Sequence, residues 1–164
     1  MTTFQENMTH LYNQVIDFNM AAGCVDHKND TSEWWDSVQL QCKLLVEEAT
    51  EAYTACKLED KVELLDGAVD TLVIAFRLVD MLEKAGYDVA DAFFAINKNN
   101  DSKVFDSFFE AIRKSAELEE RDGKEHNVAT AYVAGVEKYT IRNNYNKIVK
   151  PIGFKGVDLT KYCP

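Results

Sequence analysis

Six of the eight carboxylates between Lys43 and Phe76, in KLLVEEATEAYTACKLEDKVELLDGAVDTLVIAF, have the types and spacing to hold a cation. Glu47, Glu48 and Glu51 lie in a first segment, with Glu48 and Glu51 spaced i, i+3. Glu63, Asp66 and Asp70 lie in a second, spaced i, i+3, i+7. In an α-helix each set projects from one side. Asp66 and Asp70 interrupt LLDGAVDTLVIAF, an apolar run with no other charge. Two like charges one turn apart on an apolar helix repel and resist desolvation unless a positive charge lies between them. Antiparallel packing of the two segments would join both acidic faces, and a divalent metal is the simplest occupant.

The donor set names the class of metal. It is all oxygen, which suits Mg²⁺, Mn²⁺ or Ca²⁺ rather than zinc or copper. A di-iron bundle needs Glu-x-x-His pairs on two helices, and His10, His27 and His126 are in no such motif. No EF-hand loop occurs either. Taken alone, Glu47, Glu48 and Glu51 are ordinary for a solvated helix face. Asp66 and Asp70 change the balance, because Asp is a poor mid-helix residue and these two sit on a face that otherwise reads as core.

The elements that must position these acids are helical. Thr3 to Met20 has apolar residues at helical spacing, with Thr2 or Thr3 and Glu6 as a capping pair. Thr31 or Ser32 caps a second helix to about Cys56, opened by Trp34 and Trp35, one of them core and the other partly exposed. A third helix spans about Asp60 to Lys84 and ends at Gly86. Within it Gly67 costs about 1 kcal/mol relative to Ala, which close approach of a neighbouring helix or ligand would explain. A short fourth helix covers Val89 to Ile96, and Asn97–Lys103 is a polar loop. A fifth helix runs from Val104 to Arg121, with Phe105, Phe108, Phe109, Ile112 and Leu118 on its apolar side. Beyond Asp122 the stretches Val128–Tyr132 and Tyr139–Ile141 are β-prone, and NNYN before Lys147 reads as a hairpin turn. The expected fold is therefore mainly α, a helical bundle over residues 3–121 with a small C-terminal β-hairpin and coil extension over 126–164.

The length of 164 residues suits one domain spanning 1–164, and 46% hydrophobic with 28% charged residues is ordinary for a globular chain. A net charge of −10 argues against nucleic acid as a partner. No apolar run reaches membrane-spanning length and no signal-peptide pattern occurs, so the expected setting is soluble and cytoplasmic. Cys24, Cys42, Cys56 and Cys163 lack C-x-x-C spacing and are expected to be reduced packing residues.

In order and spacing the acidic motifs resemble the all-α nucleoside triphosphate pyrophosphohydrolases, a superfamily that includes MazG-like enzymes and phosphoribosyl-ATP pyrophosphohydrolase. E-x-x-E at Glu48–Glu51 followed by E-x-x-D at Glu63–Asp66 looks like the family's two metal helices, with Asp70 a further acid. NNDSK, Asn99–Lys103, resembles an N-x-x-K signature of one branch, and NKIVKPIGFKGVDL its lysine-rich end. Residues 104–144, between these matches, are an insertion or a divergent region. The family often has an arginine before its first motif, where Gln39, Gln41 and Cys42 stand here.

The resemblance implies hydrolysis of a nucleoside triphosphate, taken as a dNTP, to the monophosphate and pyrophosphate, for nucleotide-pool control or house-cleaning. It implies Glu48, Glu51, Glu63, Asp66 and Asp70 as Mg²⁺ ligands and Glu47 or Glu48 as base. Asn100, Lys103, Lys147 and Lys150 become substrate contacts, and the assembly a homodimer or homotetramer. The other reading of the same residues is a non-catalytic helical oligomerisation or protein-binding module whose acids are a solvated face.

Overall fold

The computed structural model describes residues 4–164, apart from the side chains of Gln5 and Glu6. The capping pair expected at Thr2 or Thr3 with Glu6 lies outside the described residues. The described chain is mainly helical, with a small antiparallel sheet. It divides into two compact units, Met1–Val89 with Cys163–Pro164, and Ala90–Tyr162. Among the described residues no helix is long and apolar enough to cross a membrane.

The first unit is three helices: α1 (Phe4–Ala21), α2 (Ser32–Lys57) and α3 (Lys61–Lys84). Thr31 caps α2 by accepting the Trp34 N–H at 3.2 Å. Asp60 caps α3 by accepting from Val62 and Glu63 at 3.0 and 3.2 Å. The intervening turn of three residues forces α2 and α3 antiparallel. Past α3, Gly86 takes a φ of +92° and the Tyr87 N–H donates to Leu82 O, closing the helix as its glycine predicts. The two tryptophans divide as expected. Trp34 is 3% exposed and stacks on Tyr87, whereas Trp35 is 51% exposed.

Two features lock this unit. Arg77 and Asp80 are both buried on α3 and bond at 2.7 Å. Asp26, in the α1–α2 loop, accepts from Arg77 at 3.0 Å and from Lys84 at 2.8 Å, so the loop is pinned to the end of α3. The Tyr12 hydroxyl donates to Glu83 at 3.1 Å while its ring meets Phe76 edge-on. Burial, with the Glu83 carboxylate beside it, pushes that phenol up to about 12. The second feature is Gly67. A Cβ on it would lie 2.9 Å from Ala52 N and 3.1 Å from Ala52 Cα and Cβ, so α2 and α3 meet backbone to backbone there.

The second unit holds α4 (Val89–Asp101), β1 (Val104–Phe105), α5 (Phe108–Asp122), β2 (Asn127–Val133) and β3 (Val136–Arg142), then a short 3-10 turn at Thr160–Tyr162. The sheet order is β1-β3-β2, all antiparallel. The β2–β3 turn is Ala134–Gly135, both at positive φ, the geometry that matches the strands' twist. Phe105, Ala111, Leu118, Tyr139 and Ile141 form the core between α5 and the sheet.

Four expectations need correction. Asn97–Asn100 are helical, since α4 continues to Asp101 despite its asparagines and ends in turns at Ser102 and Lys103. The fifth helix starts at Phe108 rather than Val104, because Val104–Phe105 pair with Thr140 and Tyr139 and Ser107 caps the helix. The buried side of α5 is Ala111, Ser115 and Leu118, where small residues let the helix approach the sheet. Phe109 is 83% exposed and Ile112 is exposed too. Finally, all four cysteines are exposed thiols, not packing residues. NNYN does reverse the chain, with Arg142 and Ile148 bridged across it.

The α2–α3 contact makes a sharp prediction. An interior Gly→Ala change normally stabilises a helix by about 1 kcal/mol, but overpacking costs about 1–3 kcal/mol. Urea unfolding should show Gly67→Ala losing stability and Gly67→Val losing about 2–3 kcal/mol or more. A stabilised Gly67→Ala would mean the helices do not touch there.

Candidate functional site

The close approach at Ala52 and Gly67 determines which acids meet. Glu48 lies one turn before Ala52 on α2, and Asp70 nearly one turn after Gly67 on α3, so antiparallel packing brings them to the same level. Both are half-buried, while Glu47, Glu51, Glu63 and Asp66 are exposed. Burial raises the Glu48 carboxyl above the usual range, and the charges of Glu51, Asp70, Glu47 and Asp66 raise it further. Those four come from both helices, so the two acidic sets share one electrostatic field. Among the described residues, no lysine, arginine or histidine pairs with any of the six acids.

Glu51 and Glu63 lie on a different part of the surface. Together with Thr54, Leu58 and Asp60 they line a groove of about 290 Å³ at the turn end of the helix pair. The carboxylate of Asp60 is already committed to the α3 cap there. Among the described residues no three His, Cys, Asp or Glu side chains converge closely enough to chelate an ion as they stand. The acids form a shared field of carboxylate oxygens, a donor set whose hard oxygens suit Mg²⁺ or Mn²⁺.

The four expected substrate contacts all belong to the second unit. The Lys103 ammonium donates to Asn100 Oδ1 at 2.5 Å, so the N-x-x-K pair is joined across one helical turn. Lys103, Lys147 and Lys150 line one cavity of about 580 Å³. Arg121, Asn143 and Phe154 line it too, and sequence reasoning passed over all three. For Asn143 and Phe154 a signal existed: five basic residues against a single acid, Asp158, from Arg142 to Lys161. Charge divides sharply between the units. The first carries 17 acidic and 6 basic residues, a balance of −11; the second carries 11 and 12, a balance of +1.

No family model, curated protein or solved structure matches this chain. The functional reading therefore stands on the residues and their placement.

The field at Glu48 has a measurable consequence in stability. A carboxyl whose folded pKa is raised binds its proton more tightly folded than unfolded, so ionising it destabilises the fold. In chelator above neutral pH, Glu48→Gln should melt at a higher temperature than the wild type. The gap should close as pH falls through the raised value toward the ordinary 4.5, where Glu48 is protonated in both states. A variant that melts lower than the wild type at high pH would refute the repulsive field.

Proposed function

We propose that this chain is a metal-dependent nucleoside triphosphate pyrophosphohydrolase, releasing pyrophosphate from a nucleotide, taken as a dNTP, and leaving the monophosphate. The observation that carries the reading is the half-buried Glu48 among four other carboxylates from two helices, none with a cationic partner among the described residues. An arrangement of this kind costs stability and is useful where a cation is to be held. The resemblance of E-x-x-E and E-x-x-D to the all-α pyrophosphohydrolases gives the reaction class.

In this reading Glu48, Glu51, Glu63, Asp66 and Asp70 hold Mg²⁺ or Mn²⁺. The bound ion supplies neutralisation of phosphate charge and a more acidic water. Glu47 and Glu48 are the candidate proton acceptors for the attacking water, and the raised proton affinity of Glu48 suits it to that task. Asn100, Lys103, Lys147 and Lys150 keep the phosphate contacts that the resemblance assigns, the lysines as mobile point charges.

Assembly as a dimer or tetramer is part of the proposal. It is supported by Val62, Leu65, Val69 and Leu72, exposed apolar residues that recur at helical spacing along α3. The same stripe favours the rival reading, a helical module that associates through α3 and performs no chemistry.

The test is a panel of nucleoside triphosphates with Mg²⁺, with products separated. Pyrophosphate and monophosphate should appear, and Glu48→Gln and Asp66→Asn should each lower turnover by about 100-fold or more. Release of single phosphate would place the chemistry at the wrong bond. A folded protein with no turnover on any nucleotide would favour the associating module.

A further inference from the structure

The second unit holds a basic cavity. Four cations, Lys103, Arg121, Lys147 and Lys150, line it in a chain whose net charge is −10. Among the described residues none of the three lysines forms an ion pair with a carboxylate. Arg121 reaches only Asp122, at 3.6 Å, and Asp122 is shared with His126 at 3.2 Å. Gathering four like charges with a single, shared counter-charge is unfavourable, and a bound anion relieves it.

The cavity is built rather than a chance gathering of surface lysines. Asn143 Oδ1 accepts the N–H groups of Tyr145 and Lys147, both at 3.0 Å, which holds the turn leading to Lys147. Arg142 and Ile148 are bridged, and the Val149 N–H donates to Ile141 O at 2.8 Å, so the backbone between Lys147 and Lys150 is anchored to β3. Val149 itself packs against the core. Pro151 then accepts the Phe154 N–H at 3.1 Å, closing a turn. The Phe154 ring sits 5.2 Å from both the Lys103 and the Lys150 ammonium, which holds two cations at the cavity without neutralising them. The volume of about 580 Å³ is in the range of small-molecule sites.

We propose that this cavity binds a di- or triphosphate, free or as the tail of a nucleotide, without the help of a metal. Four cationic heads match the several charges of a polyphosphate better than the single charge of a carboxylate. Arg121 supplies the forked donor that two phosphate oxygens accept, and the three lysines supply adjustable point charges. The site extends the phosphate contacts proposed above and stands on the cavity alone, whatever the carboxylates of the first unit do.

Titration calorimetry of the full chain in chelator at low ionic strength tests it, with inorganic pyrophosphate as probe and a non-hydrolysable nucleoside triphosphate in a second arm. Saturable pyrophosphate binding is expected, weakened by salt and by about tenfold or more in Lys147→Ala/Lys150→Ala and in Arg121→Ala. Equal affinity in both arms would assign the site to bare polyphosphate, and tighter nucleotide binding to a nucleotide tail; either supports the proposal. Glu48→Gln should bind pyrophosphate like the wild type, so the pocket and the hydrolase reading fail separately. No binding in either arm, or binding unchanged in the cationic variants with their fold confirmed by circular dichroism, would overturn it.

Discussion

Gly67 against Ala52 is the contact on which the rest of the first unit depends. Only hydrogen in place of a side chain lets the α2 and α3 backbones come this close. Their proximity carries Glu48 toward Asp70 and joins two acidic sets that neither helix could bring together alone. Burial first, and then the repulsion among these acids, raises the Glu48 carboxyl, a cost borne by a well-locked frame. Arg77, Asp80, Asp26 and Lys84 bind the far end of α3 to the α1–α2 loop, well along the helix from the acids. Charges are paired at one end of the frame and, among the described residues, unpaired at the other.

The division of charge gives the second organising idea. A single figure of −10 for the chain conceals a unit at −11 and a unit near neutrality with a basic cavity. In the proposed reading an acidic helix hairpin and a basic pocket are complementary tools for handling phosphates: one would hold cations, the other anions directly. The average charge argues against nucleic acid as a partner, yet it says nothing against a small polyanion met by four focused cations.

Much of the architecture was legible because it is written locally. The first three helices follow from periodicity and caps, and the C-terminal strands from their β-branched and aromatic residues. Even Gly67 announced a close approach, since a glycine inside a strongly helical run calls for a reason. The failures are tertiary. Val104 and Phe105 look like the start of an amphipathic helix, but their backbone pairs with β3 and the helix waits for the Ser107 cap. The aromatic side of α5 then faces out, because Ala111 and Ser115 allow a closer seat on the sheet than phenylalanines would. Among site residues the acidic spacing was readable along one dimension. The basic cavity needed Arg121 from a helix and Asn143 and Phe154 from the following coil, residues that only the folded second unit assembles.

The central claim is that the acids joined by the α2–α3 crossing form a cation site. Its most direct test is a titration with Mn²⁺ in which free ion is followed by electron paramagnetic resonance, in the absence of nucleotide. The account predicts saturable binding by the wild type, displaced by Mg²⁺ and weakened by about tenfold or more in Asp70→Asn and in Glu48→Gln. A chain that leaves Mn²⁺ free at millimolar concentrations, or binds it equally well without those two carboxylates, would contradict it.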